Sequence, residues 1–155
     1  MRIAALRVLT SFNKTKAFSR ELARSNVGFF VARSLEREAT NRDPSGGNER
    51  EEALRWVRQF ADVDASSLSR AIVNALCSIV ESPEPQEADF CCRCMQPLCE
   101  IAIQNTRIVW LCTGIKVIFN GVLNPIFTPL QQTFATTILF LLDDEPTRRY
   151  IRPPV

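Results

Sequence analysis

Between Asn48 and Glu81 two amphipathic helical patterns follow one another with almost no linker, and the second is apolar on two sides. In the first, Ala53, Trp56, Val57, Phe60 and Ala61 recur at three- and four-residue steps, while Glu51, Glu52, Arg55, Arg58 and Asp62 hold the opposite face. That is helical periodicity, not strand alternation. In the second, Leu68, Ala71, Ile72, Ala75, Leu76 and Ile79 form one stripe, and Val73, Cys77 and Val80 thicken it to another side. A helix apolar on two sides needs neighbours on both, so this pair predicts one layer of a stack and not a finished domain. Asn48, with Glu51 three residues on, predicts the start of the first helix, and Gly46-Gly47 mark a break before it. Ser66 or Ser67 predicts the cap of the second, which Ser82-Pro83 ends.

The flanking sequence repeats the theme. Ile3, Leu6, Val8 and Leu9 predict a short helix, residues 15–22 another, and Asn26 or Val27 through Arg37 a third with Phe29, Phe30, Ala32 and Leu35 as apolar contacts. Residues 40–48, with Asn41, Asp43, Pro44, Ser45 and two glycines, read as a surface connection. Gln86 to Gln104 predicts a helix with Cys91, Cys94, Met95, Leu98, Ile101 and Ala102 inward, kinked or split near Gln96 because Pro97 deletes one backbone hydrogen bond and crowds the preceding turn. Arg107 to Cys112 is a short helix, Thr113-Gly114 a turn that the glycine permits, and Ile115 to Leu123 a helix with Val117, Ile118, Val122 and Leu123 apolar. Thr128-Pro129 opens the last long helix, whose stripe is Leu130, Phe134, Ile138 and Leu141.

Main helices then begin near residues 49, 87 and 128, at intervals of 38 and 41 residues, near the roughly 40–47 of an armadillo or HEAT repeat. The expectation is an all-α, right-handed α-solenoid of armadillo/HEAT-like repeats. It forms one domain over residues 1–155, with N-terminal helices in 1–39, a connection at 40–48 and about three repeats in 49–155.

Chemistry is constrained mainly by what is missing. The chain has no histidine, which excludes a catalytic triad with a histidine base, and neither a Gly-rich phosphate loop nor an HExxH motif occurs. The expectation is therefore no enzyme and no cofactor. Cys91-Cys92-Arg93-Cys94, with Cys99 following, contains a CxxC pair that could on paper hold zinc. However, these cysteines share one helical face with Met95 and Leu98, whereas structural zinc sites join two separated knuckles, so the cysteines are expected to pack as small hydrophobes. Asp143, Asp144 and Glu145 sit at a helix end, where carboxylates satisfy free backbone amides. Trp56 and Trp110 both lie on helical stripes and are expected in the core.

The net charge of +2 is too small to argue for nucleic acid, although residues 1–47 carry 9 Lys+Arg against 4 Asp+Glu. The longest apolar run, Ile138 to Leu142, falls far short of the roughly 20 residues that cross a bilayer. Arg7 interrupts the apolar start, so no secretory signal is expected. A cytosolic setting follows, in which the 6 cysteines stay thiols.

Four separated segments, in order, carry a resemblance. Phe30-Val31-Ala32-Arg33-Ser34-Leu35-Glu36-Arg37, Glu49-Arg50-Glu51-Glu52-Ala53-Leu54-Arg55-Trp56-Val57-Arg58, Ser69-Arg70-Ala71-Ile72-Val73, and Leu141-Leu142-Asp143 through Thr147-Arg148-Arg149-Tyr150-Ile151-Arg152-Pro153 resemble the N-terminal region of the Rictor/Pianissimo proteins. The resemblance implies an armadillo-type scaffold in TOR complex 2 that supports TOR kinase without being a kinase. Its partners would be TOR kinase and the other subunits, in the cytoplasm and, as part of the complex, at the periphery of the plasma membrane. The family's chains are very long, so this one is expected to be a fragment of a longer solenoid, a mispredicted gene or a reduced protein, and the isolated fragment is expected to be marginally stable or to self-associate.

Two alternatives stay open. One is a stand-alone armadillo or HEAT adaptor for extended peptides, against which Asn120 and Trp110 do not recur at the repeat spacing. The other is a small zinc or thiol protein centred on Cys91 to Cys99. The candidate partner surface is Arg148, Arg149 and Arg152 around Tyr150, held stiff between Pro146 and Pro153, with Arg55 and Arg58 as a second patch. Planar guanidinium groups suit carboxylate or phosphate recognition. The competing role of Arg148, Arg149 and Arg152 is pairing with Asp143, Asp144 and Glu145.

Overall fold

The structure, a computed structural model, describes residues 2–11, 21, 27–36, 44–64 and 67–151. Every regular element among them is helical: α1 (Arg2–Ser11), α2 (Val27–Glu36), α3 (Pro44–Asp64), α4 (Arg70–Glu81), α5 (Ala88–Gln104), α6 (Thr106–Leu111), α7 (Gly114–Val122), α8 (Gln131–Asp143) and α9 (Glu145–Ile151). Short 3-10 turns, Pro85–Glu87 and Pro125–Leu130, lead into α5 and α8.

These helices stand in two rows. α2, α4 and α7 begin at residues 27, 70 and 114, and α3, α5 and α8 at 44, 88 and 131, so both rows advance by 43 or 44 residues. Neighbours within each row pack together, and each helix of the first row packs on the following helix of the second. α1 lies on α3, α6 on α5 and α7, and α9 on α8. α4 and α5 therefore have neighbours on several sides, which is what the doubly apolar pattern of residues 68–80 demanded. One continuous core results, with Trp56, Phe60, Leu76, Met95, Leu98, Ile101 and Ile115 fully buried. Trp56 and Phe60 stack at 4.9 Å between ring centroids, and Phe127 meets Phe134 edge-on at 6.2 Å.

Several expected boundaries move, each for a local reason. α3 begins at Pro44, not Asn48, and Gly46-Gly47 lie inside it. Proline suits a first helical position, and the strong pattern downstream carries the helix back through two glycines that each cost only about 1 kcal/mol. The cap of α4 is Ser69, whose hydroxyl accepts from the Ile72 amide at 3.5 Å, while the expected Ser67 donates to Asp64 at 2.6 Å. Thr128-Pro129 does not open α8; Asn124 caps the preceding 3-10 turn through the Ile126 amide at 3.1 Å, and Pro129 sits inside that turn. The helix expected over residues 15–22, and Ser66, lie outside the described residues.

α5 runs through Pro97 without splitting. A proline interior to a helix costs about 3 kcal/mol, but a break at Gln96 would uncover Leu98, Cys99, Ile101 and Ala102, all fully buried. A single buried leucine or isoleucine is worth about 1.5–3 kcal/mol, so packing on both sides outweighs the lost hydrogen bond. At the α6–α7 joint the left-handed residue is Thr113, with φ 60°, and not Gly114. Gly114 is required for closeness: a Cβ there would lie 2.4 Å from Val109 Cγ1. Phe29, Val122 and Leu123 are exposed where inward contacts were expected, and Trp110 is 40% exposed.

Candidate functional site

Four consecutive residues near the start of α3 tie it to α1, α2, α5 and the turn before α5. Glu49, buried, accepts from Ser34 Oγ of α2 at 2.9 Å and pairs with Arg2 of α1 at 3.5 Å. Arg50 pairs with Glu87 at 2.8 Å and lies over the Phe90 ring at 4.0 Å, a cation–π contact strengthened by burial. Glu51 takes both guanidinium nitrogens of Arg93 from α5, Nη2 to Oε1 at 2.7 Å, while Arg93 Nε donates to Asp89 at 3.0 Å. Glu52, also buried, accepts from Arg7 of α1 and from Arg55, each at 3.2 Å.

Helical geometry aligns the rest of this seam. Residues 51, 55, 58 and 62 of α3 and residues 89, 93, 96 and 100 of α5 advance by the same four-three-four steps, so each set keeps to one face. A depression of about 300 Å³ between them is lined by Glu51, Leu54, Arg55, Arg58, Asp62 and Arg93. The hydrogen bonds from Arg93 hold the Glu51 carboxyl below its ordinary 4.5, against the opposing effect of burial. Glu100 moves the other way: burial raises its pKa, the Asp62 charge adds to the rise and Arg58 opposes it. Opposite charges meet at one end of the seam, where Arg93 of α5 is held by Glu51 of α3, while at the other end the like charges of Asp62 and Glu100 come together beside Arg58.

The thiols are set in the core. Cys77, Cys91, Cys94, Cys99 and Cys112 are buried and Cys92 is half-buried. Burial pushes Cys77 and Cys99 up to about 12 and raises the others in the same direction. Metal binding and nucleophilic attack need the thiolate, which these surroundings disfavour. Cys92 instead donates to the Ile126 carbonyl at 3.2 Å, tying α5 to the turn before α8. Among the described residues, no three Cys, Asp or Glu side chains gather as metal ligands. Nor is any described helix long and apolar enough to cross a membrane.

The closing segment folds as α9. Asp144 Oδ2 accepts from the Thr147 amide at 3.1 Å and from its hydroxyl at 2.6 Å, capping the helix as a carboxylate at a helix start should. Arg148 and Arg149 are exposed, and Arg149 pairs with Glu145 at 2.6 Å. The Tyr150 side chain and Arg152 lie outside the described residues. Arg55 and Arg58 do not join this patch; they sit in the α3–α5 seam, with α5 and α8 between them and α9.

What the arrangement does bring to α9 is Trp110. A depression of about 390 Å³ is lined by Thr106, Arg107, Trp110 and Leu111 of α6 with Asp144 and Pro146 at the start of α9. A neighbouring one of about 460 Å³ is lined by Trp110, Glu145, Pro146 and Arg149. Sequence reasoning placed Trp110 in the core because a six-residue helix shows too little of its period to tell which side faces out.

A family model described as Rapamycin-insensitive companion of mTOR, N-term, matches residues 1–155. Protein pianissimo A of Dictyostelium discoideum is 37% identical over 153 residues, covering 99% of this chain and 13% of that protein. The Rapamycin-insensitive companion of mTOR of Mus musculus is 31% identical over 156 residues, covering all of this chain and 9% of that protein. A Saccharomyces cerevisiae protein named as a target of rapamycin complex 2 subunit is 28% identical over 147 residues, covering 95% of this chain and 10% of that protein. The chain thus spans about a tenth of the length of these relatives.

Proposed function

This chain belongs to the family of the Rictor N-terminal region, and from that premise we propose that it is a non-catalytic scaffold segment of TOR complex 2, supporting TOR kinase signalling through protein contacts. The observation that carries the proposal is the end-to-end family match on a chain whose helices stand in two rows at 43- or 44-residue intervals. That spacing supports an armadillo-type solenoid, an architecture that builds extended binding surfaces from stacked helix pairs. The similarity to a yeast protein named as a complex subunit supports the assignment to the complex. Two features support a non-catalytic role: the sequence lacks histidine, and among the described residues Glu51, Glu52, Arg50 and Arg93 are held in ion pairs that tie α3 to other elements. The cytoplasm, including the periphery of the plasma membrane as part of the complex, is the setting that fits.

The partner surface belongs on the closing segment, with Arg148 and Arg149 exposed on α9 and Arg152 and Tyr150 following, and with Arg55 and Arg58 as a second patch. Co-purification with TOR kinase from cells tests both levels. Wild-type chain should bring down the kinase and other subunits. Arg148→Glu with Arg149→Glu should leave helicity and melting nearly intact yet abolish co-purification. A wild-type chain that brings down no TOR kinase would overturn the scaffold reading, and a double variant that binds as well as wild type would remove the arginines from the interface.

A further inference from the structure

We infer that α1 is an electrostatic strap, latched onto α3 by two arginines, which lifts as a unit when their charge is screened while the rest of the stack stays folded. The inference is independent of the scaffold reading, since it concerns how this chain holds its own first helix.

The apolar hold on α1 is small. α1 and α2 are both ten residues long, but α2 buries Gly28, Val31, Ala32, Ser34 and Leu35 and packs on both α3 and α4, whereas α1 packs on α3 and buries only Leu6. Ile3 and Leu9 are half-buried, and Ala4, Ala5 and Val8 are exposed. A helix this short is marginal in water without tertiary packing. Pinned by a single buried leucine, it belongs to the low-stability end of the fold, where opening is local and does not require global unfolding.

Charge supplies the rest of the hold. Arg2, at the start of α1, pairs with Glu49 at 3.5 Å, and Arg7 pairs with Glu52 at 3.2 Å. The two sides of this latch differ. Both carboxylates are buried, but the arginine side chains are 50% and 67% exposed, so water and salt reach the cationic member of each pair. Pairs open to solvent on one side weaken as ionic strength rises.

Release strands neither carboxylate. Glu49 also accepts from Ser34 Oγ of α2 at 2.9 Å, and Glu52 from Arg55 of α3 at 3.2 Å. When α1 lifts, each keeps a partner inside the remaining fold and gains water, so the penalty of a buried, unpaired charge does not arise. The pairs of Arg50 with Glu87 and of Glu51 with Arg93 do not involve α1 and stay closed. Strap and stack can therefore part at the α1–α3 contact, which bares Glu49 and Glu52 one turn apart on α3.

Hydrogen–deuterium exchange of the purified chain, resolved by helix, tests this at about 0.1 M and about 1 M NaCl, between which the screening length falls from about 10 Å to about 3 Å. In low salt the α1 amides should be protected, yet exchange about tenfold faster or more than the slowest amides of α4 and α5. High salt should speed α1 by about fivefold or more and leave α4 and α5 within about twofold. Arg2→Gln with Arg7→Gln, both exposed changes, should speed α1 as much in low salt and remove its response to salt, with unchanged α4 and α5 as the check that the stack remains folded. Four results would each overturn the inference: α1 amides as slow as those of α4, no protection of α1 in low salt, a salt effect equal in all helices, or a double variant that keeps the wild-type salt response.

Discussion

α3 and α8 occupy the same row two steps apart, and they differ in what they turn outward. Both bury an apolar stripe: Trp56 and Phe60 in α3, and Phe134 with Leu141 in α8. On its other side α3 is covered by charges that other helices answer, Arg7 and Arg2 from α1, Arg93 from α5, Glu87 from the turn before it. α8 turns out Leu139, Phe140 and Leu142, which are 67%, 43% and 41% exposed. An inward stripe therefore makes a helix part of the stack, whereas its outward face is written by whatever it meets. Charged partners were available to α3 within these residues, and none meets the apolar face of α8 among those described.

The largest expected effects should be the same at both helices, because the inward stripes are equivalent. Phe60→Ala in α3 and Leu141→Ala in α8, both fully buried, should each cost about 3–5 kcal/mol in chemical denaturation. A loss below about 1 kcal/mol at Leu141 would mean that α8 is not part of the same core.

The outward faces should then separate. Arg50→Ala removes a side chain that is only 10% exposed, leaves Glu87 without its cation and uncovers Phe90. It should cost about 2–3 kcal/mol, somewhat under the roughly 3–5 expected where both members of a pair are buried, since Glu87 is 35% exposed. An Arg50→Ala protein that melts like wild type would show the α3 charges to be ornamental.

Acid should find the same seam. Glu51 has a folded pKa below its ordinary 4.5, so its contribution is present above that value and is lost as pH falls through the folded one. Glu100 has a raised folded pKa, so from 4.5 up to that value stability falls as pH rises, and at pH 7 its ionised form is a net burden. Melting at pH 7 should therefore drop for Glu51→Gln and rise for Glu100→Gln. Shifts of equal sign would contradict the two environments described.

The smallest effect on stability belongs to α8. Leu139→Glu with Phe140→Glu should change it by no more than about 0.5 kcal/mol, as surface substitutions do, while lowering self-association in light scattering. A loss of several kcal/mol would show that this face is covered.

The helices were legible because their inward stripes repeat along the chain. Ala53, Trp56, Val57, Phe60 and Ala61 all prove buried, as do Cys91, Cys94, Met95, Leu98, Ile101 and Ala102. Periodicity measures one helix at a time and needs only that helix's own residues. The repeat interval was blurred, at 38 and 41 residues, because two long helices begin away from their most visible caps, at Pro44 and Gln131. For the candidate surface, the pairing of Arg149 with Glu145 was readable from a four-residue spacing on one helix. The approach of Trp110 to Pro146 was not.

By itself, then, the sequence determined the helical class, the buried stripes of α3 and α5 and, through four separated motifs, the family. Tertiary structure alone decided that Glu49, Arg50 and Glu52 are buried, that Thr113 takes the left-handed turn so that Gly114 can close on Val109, and that Trp110 faces a groove. The reason is separation along the chain. Glu52 meets Arg7 from 45 residues away, Glu51 meets Arg93 from 42, and Arg50 meets Glu87 from 37. A charge can be buried only where its partner arrives, and the fold sets that arrival.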